Sequence, residues 1–391
     1  MMVSMMVLMS LAASCGRFSS DEELRAKKLG ADGKVKIAVV WDSDSKDGFL
    51  RGAELAKDEI ATKGGVLGRT IQLDVQNDKG NTTTGKAVAQ SISEDAEVAL
   101  VLGHLDAQVA ALTSVMYEYA GALMVFPGSG TRRITRPGFS LVFRALPSAE
   151  AFGGYLADYA AAQRVGRVLV AYSNDDYGRA MANSFESRAE ETRIRIVDRL
   201  PFEGSAKAFE RSVRALVEDK AQVDRILVAA KMPEARVLVE TLRAGGMEAP
   251  IMSGDGMDSS EVLSIPGLEG ATIASVYHPA AQDAEAAGFT QRYRAKFGED
   301  PDTCAALAYD SLMVFANAAQ VAGALTPKAI ALALRSSAKF VGVTGPLGFD
   351  ERGDRIAVRL VFKKVKAGKF ELEAAAPKVD AESPKPEPAT P

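Results

Sequence analysis

Three short segments carry residue types suited to holding a small polar molecule. Gly128-Ser129-Gly130-Thr131 combines two glycines with two hydroxyls. Glycine lets backbone N–H groups approach an anion, and the hydroxyls add donors. The same four residues also make a plain strand-to-helix turn. They are not a dinucleotide fingerprint, because no third glycine follows at the required spacing. Asn174-Asp175-Asp176 precede Tyr177 at a predicted helix start, where acidic and amide side chains suit N-capping. Ser253-Gly254-Asp255-Gly256 sets a carboxylate in a turn, which in the plainest case is a solvated loop residue.

Other chemistries have little to work with. The 391 residues include two histidines and two cysteines, so neither a Cys/His zinc cage nor a disulfide-dense scaffold is expected. No Gly-x-Ser-x-Gly elbow, Walker loop or His-Glu-x-x-His is present, and neither histidine sits in an evident acid/base constellation. An enzyme is therefore not expected, and no cofactor or metal is implied. With 47 basic and 51 acidic residues the net charge is −4, which gives nucleic-acid binding no basic excess to use. Cys304, on an apolar helix, reads as a small buried hydrophobe. Trp41 ends the first strand and either lines a cleft or caps the core.

The elements that position these residues alternate strand and helix. KVKIAVVW (34–41), TIQLDV (70–75), VALVLG (98–103) and LMVFP (123–127) read as strands. The stripe Phe49, Ala53, Ala56 and Ile60, and the segments 82–93 and 107–119, read as helices. The pattern restarts after residue 146. Strands RVLVAY (167–172), RIRIVD (193–198), DRILVAA (224–230), PIMSG (250–254) and ATIASVY (271–277) alternate with helices at 149–162, 178–191, 205–218 and 233–244. Helices follow at 283–297, 302–322 and 327–336, and 345–372 reads as a small antiparallel ending. Continuous apolar strands predict an α/β fold of two doubly wound lobes, each a parallel sheet covered on both faces.

The ends differ from this body. Residues 1–15 resemble a bacterial lipoprotein signal, with Ala12-Ala13-Ser14 leading into Cys15 as the lipidated residue, although no Lys or Arg precedes the apolar run. The other reading is a Met-rich start with an incidental cysteine. Residues 16–33 read as a tether and 373–391 as a disordered Pro-rich tail.

Taken together, GAELAKDEIATKGGVLGR (52–69), VALVLGHLDAQVA (98–110), LMVFPGSGT (123–131), AYSNDDYGRA (171–180), SGDGM (253–257), FGEDP (297–301) and VGVTGPLGFDERGD (341–354) resemble the type I periplasmic binding protein family. The similar branch is the leucine/isoleucine/valine-binding-protein-like group of ABC transporter substrate-binding proteins. The resemblance implies three crossovers, with lobe 1 at 34–146 plus 277–340 and lobe 2 at 147–276 plus 341–372. It implies a non-catalytic, monomeric receptor on the periplasmic or cell-surface face, held by its lipid anchor, whose hinge closure traps a small polar ligand for an ABC permease. The alternative on the same fold is a ligand sensor regulating a partner protein.

The resemblance also assigns residues. The loop Gly128–Thr131 would hold the ligand's carboxylate, Tyr177 would pack on or bond to the ligand, and Asp255 would pair with its ammonium. His104 would shape its loop and His278 would sit at the hinge. Departures stand beside these matches. Ala107 occupies the place of a hydroxyl donor, and Asp106 adds negative charge where an anion would sit. Lys231-Met232 replaces a pair of aromatics before Pro233, so Lys231 is placed to receive an anionic group. The loop Asp42–Gly48 is short and acidic, which suits a cationic ligand.

Overall fold

The computed structural model describes residues 23–42, 44–336, 340–373 and 380–382. Strands β1 (Lys34–Val40), β2 (Thr70–Gln76), β3 (Val98–Gly103), β4 (Met124–Phe126) and β5 (Val142–Arg144) form one sheet in the order β2-β1-β3-β4-β5. All its pairings are parallel. β1 is an unbroken apolar run because both its faces are covered. Ile37 and Val39 enter one core, and Ala38 and Val40 the other. Helix α1 (Phe49–Thr62) covers the first face with the predicted stripe Phe49, Ala53, Ala56 and Ile60. Helices α2 (Thr82–Glu94) and α3 (Ala107–Tyr119) cover the second.

The second sheet repeats this logic. β6 (Arg167–Ser173), β7 (Arg195–Phe202), β8 (Arg225–Ala229), β9 (Ile251–Ser253) and β10 (Thr272–Ser275) pair in parallel. Helices α4 (Ala149–Ala162) and α5 (Asp176–Glu191) pack on the face that holds Val168 and Val170. Helices α6 (Ala206–Glu218) and α7 (Glu234–Ala244) pack on the face that holds Leu169 and Ala171. The chain then returns to the first lobe as α8 (Ala284–Phe297), α9 (Thr303–Ala322) and α10 (Pro327–Ser336). Gly52 makes the α1–α9 contact close: a Cβ there would lie 2.1 Å from the Ala305 carbonyl oxygen.

Core membership locates the three crossings. Ala145 packs in the first lobe and Leu146 in the second; Val276 packs in the second and Tyr277 in the first. Val343, Leu347 and Phe349 stay with the first core, past the passage expected at 340, and the second core resumes at Val358. A short ladder of β11 (Phe340–Gly342) and β12 (Gly345–Leu347) lies in this stretch. β13 (Ala357–Arg359) follows, and β14 (Val361–Lys366) and β15 (Lys369–Leu372) then add antiparallel strands to the second sheet.

Both expected tails differ from their sequence reading. Residues 23–33 are not a free tether. Leu29 lies in the first core, and the Arg25 guanidinium donates to the carbonyls of Ser93, Asp95 and Val98 at 3.2, 3.3 and 2.9 Å. It thereby satisfies the Ser93 and Asp95 carbonyls left open where α2 ends and ties them to the first residue of β3. Within the tail expected to be disordered, Asp380–Glu382 pairs antiparallel with β13. Residues 1–22, Cys15 among them, lie outside the described residues. No helix of the described residues is long and apolar enough to cross a membrane.

Candidate functional site

Ligands of doubly wound sheets bind beyond the carboxyl ends of the strands. Here the loops that follow β4, β6, β8 and β9 converge between the lobes. Asp175 caps α5 by accepting from the Gly178 N–H, and this seats Tyr177 in the first turn. The Tyr177 hydroxyl donates to Asp255 Oδ1 at 2.7 Å and accepts from the Gly256 N–H at 2.9 Å. From the other lobe, the Gly130 N–H donates to Asp255 Oδ2 at 3.2 Å. One carboxylate therefore ties the loop after β4 to the loops after β6 and β9.

Lys231 completes the group. Its Nζ lies 5.3 Å from the Tyr177 ring centroid, a cation–π contact. Gly256 makes room for it, since a Cβ at that position would lie 2.9 Å from both Lys231 Cγ and the Tyr177 hydroxyl. On the first lobe, Ser129 and Thr131 are buried, and Ser129 Oγ has no hydrogen-bond partner among the described residues. Gly128 packs on the loop after β3: its Cβ would lie 2.5 Å from the Leu105 carbonyl oxygen.

Burial sets the protonation of this group. It pushes the Asp255 carboxyl up to about 6, against the pull of the Tyr177 hydroxyl and the Gly130 N–H. It pushes the Tyr177 phenol well above its ordinary value, with the Asp255 charge adding to the effect. Tyr177 is therefore held as a donor, and the Asp255 carboxyl is held well above the usual carboxylate range.

The other sequence candidates have separate duties. Trp41 caps the first core: its ring stacks on Phe49 at 3.5 Å, and its indole N–H donates to the Asp47 carboxylate. Asp47 also accepts from Ser45 and the Phe49 N–H, so this carboxylate of the acidic loop is used internally. Trp41, Asp42, Asp47, Arg51 and Glu299 border a surface hollow of about 480 Å³. Ala107 is the first residue of α3, and Asp106 is that helix's N-cap, accepting from the Gln108 and Val109 N–H groups. The Asp106 charge is thus turned on to a helix end. His104 is fully buried between Asp78 and Tyr117, at 2.5 and 3.0 Å. His278 accepts from the Ala280 N–H at 3.0 Å and lies 3.3 Å from the Phe370 carbonyl oxygen, at a crossing. Cys304 is half-buried against the first core, and burial raises its thiol well above the ordinary value. No group of three or more His, Cys, Asp or Glu side chains is placed to hold a metal among the described residues.

Sequence reasoning passed over a second polar cluster between the lobes. Asp258 and Lys363 of the second lobe meet Thr303, the first residue of α9, and Ser275 joins them. Asp258 follows the Ser253–Gly256 motif by two residues, which is a weak local signal. Nothing near Lys363 in sequence announces it.

Comparisons with known proteins agree with this architecture. The Leu/Ile/Val-binding protein homolog 1 of Brucella abortus (strain 2308) is 27% identical over 311 residues, 78% of this chain and 81% of that protein. The ABC transporter substrate-binding protein of Desulfitobacterium hafniense, solved in complex with Leu, is 31% identical with a TM-score of 0.79, covering 87% of this chain and 99% of that one. The branched-chain amino acid transporter substrate binding protein of Streptococcus pneumoniae, in complex with isoleucine, is 26% identical with a TM-score of 0.73, covering 88% and 100%. The periplasmic binding protein family model matches residues 34–369, a stretch that holds every residue of the site and both lobes up to the start of β15, and the chain belongs to that family.

Proposed function

We propose that this protein is an extracytoplasmic solute receptor that takes a small amino-acid-like ligand between its lobes and presents it to an ABC permease. The observation behind this reading is Asp255 of the second lobe bound at once to Tyr177 and to the Gly130 N–H of the first. An α-amino acid matches these groups. Its carboxylate would take over the Gly130 N–H from Asp255 and add the Ser129 hydroxyl, which has no partner among the described residues, and its ammonium would take the Asp255 oxygen so released. The Leu and isoleucine complexes of the structural relatives support that ligand class. Binding changes nothing covalently in this scheme and uses no cofactor. Anchoring through a lipidated Cys15 and action as a monomer complete it.

Thermal melts of the full chain against amino acids, amides, urea and aromatic acids test the proposal. Free ligand at ~1,000 times its dissociation constant is expected to add ~4 kcal/mol. Asp255→Ala should weaken binding of an amine ligand by about 2–5 kcal/mol. Silence across the panel would refute the receptor, and unchanged affinity in the variant would refute this site.

A further inference from the structure

We propose, resting on the receptor reading above, that the preferred ligand carries a second anionic group taken by Lys231, so that acidic amino acids outrank apolar ones. Lys231 is half-buried at the lobe junction, and its ammonium has no hydrogen bond or ion pair among the described residues. Its neighbour Asp255 feels the Lys231 charge but makes no ion pair with it: Oδ1 receives the Tyr177 hydroxyl and Oδ2 the Gly130 N–H. The side chain is also held in place. Its Cγ sits against Gly256, and its Nζ lies over the Tyr177 ring.

A ligand closing on this group meets one acceptor and two sets of donors. The Gly130 N–H and Ser129 hydroxyl stand on the first lobe, and the Lys231 ammonium stands on the second. An apolar side chain against Lys231 strips water from the ammonium and returns no acceptor, which is costly. A carboxylate there supplies the missing partner, and the charge-assisted bond favours that ligand. The cost to the wrong ligand and the gain to the right one both act toward discrimination.

Calorimetric titration of the full chain with L-glutamate, L-aspartate, L-leucine and L-isoleucine tests this. The acidic pair is expected to bind at least about tenfold more tightly than the apolar pair. Lys231→Met should cost the acidic ligands about 10–100-fold more than it costs leucine, while Lys231→Arg keeps the acidic preference. Leucine or isoleucine binding the unaltered chain as tightly as glutamate would overturn the second anion and leave the receptor standing. So would a Lys231→Met variant that weakens both classes equally. Binding of neither class would overturn the second anion too, and only silence across the wider panel of amino acids, amides, urea and aromatic acids would overturn the receptor with it.

Discussion

Lys363 Nζ lies 2.5 Å from Asp258 Oδ1, and the pair is joined to the opposite lobe through Thr303 Oγ1, 2.9 Å from the ammonium and 2.8 Å from Asp258 Oδ2. The two charged side chains are only 6% and 5% exposed. Removing one member of such a pair strands the other without solvent. Lys363→Met is expected to lower the unfolding free energy by about 3–5 kcal/mol, and Thr303→Val by about 1–2 kcal/mol. Lys363→Met combined with Asp258→Leu should recover most of the first loss, because no bare charge remains. Denaturant titration of the three variants checks this, and a loss below ~1 kcal/mol in Lys363→Met would show that the pair is dispensable.

Asp255 is expected to govern how binding responds to pH. Its carboxyl is raised from 3.8 to about 6 by burial. An acid whose pKa rises on folding stabilises the empty protein when protonated. That contribution is complete below about 4 and fades as pH climbs through about 6. An ammonium ligand needs the ionised carboxylate, so below pH 6 binding must expel a proton. The association constant for an amine ligand should therefore fall by about fivefold from pH 6 to pH 5, and Asp255→Asn should flatten that slope. An equally sloped Asn variant would assign the titration to another group.

The lobes were legible in sequence because parallel strands with two covered faces are unbroken apolar runs. KVKIAVVW and VALVLG declare themselves on that ground alone. Val142–Arg144 did not, since three residues are too few to show any period, and its place in the sheet is fixed by pairing with Met124–Phe126. The apolar alternation of RIRIVD ends at Asp198, yet β7 runs to Phe202 through Pro201. It is an edge strand, where a missing N–H costs little. Arg25 looked like part of a polar tether because its carbonyl partners lie about 70 residues away. In the site, the turn residues Gly128–Thr131, Tyr177 and Asp255 stood out by local chemistry. Their convergence, and the Asp258–Lys363–Thr303 cluster, depend on contacts across lobes that no local pattern encodes.

Asp354 is expected to make the hinge acid-labile. Arg144, fully buried, donates to Asp354 Oδ1 at 3.1 and 2.7 Å, and the Thr135 hydroxyl donates at 2.5 Å. Burial alone would raise this carboxyl, but Arg144 and the hydrogen bonds outweigh it and hold it below 3.8. A depressed pKa stabilises the fold above the ordinary carboxylate value, and the contribution fades as pH falls through the lowered one. Asp354→Asn should therefore cost about 2–4 kcal/mol at pH 7 and progressively less below about pH 4. Parallel denaturation curves at pH 7 and 3 would test this, and a penalty that stays constant with pH would contradict it.

Gly256 separates a requirement of the site from a requirement of the fold. A Cβ there would lie 2.5 Å from the Ala230 carbonyl oxygen and 2.9 Å from Lys231 Cγ and the Tyr177 hydroxyl, so the backbone must shift. That shift moves the N–H that Tyr177 accepts and, with it, the hydroxyl that orients Asp255. Gly256→Ala should weaken ligand binding at least about tenfold, since positioning errors of this size are costly in a polar site. Gly154 provides the contrast. It lies inside α4, where a Cβ would meet only Ser184 Oγ at 3.6 Å, an ordinary contact. Gly154→Ala should stabilise the helix by about 0.5–1 kcal/mol and leave affinity unchanged. Equal affinity in both variants would show that the Tyr177–Gly256 contact does not position the ligand site.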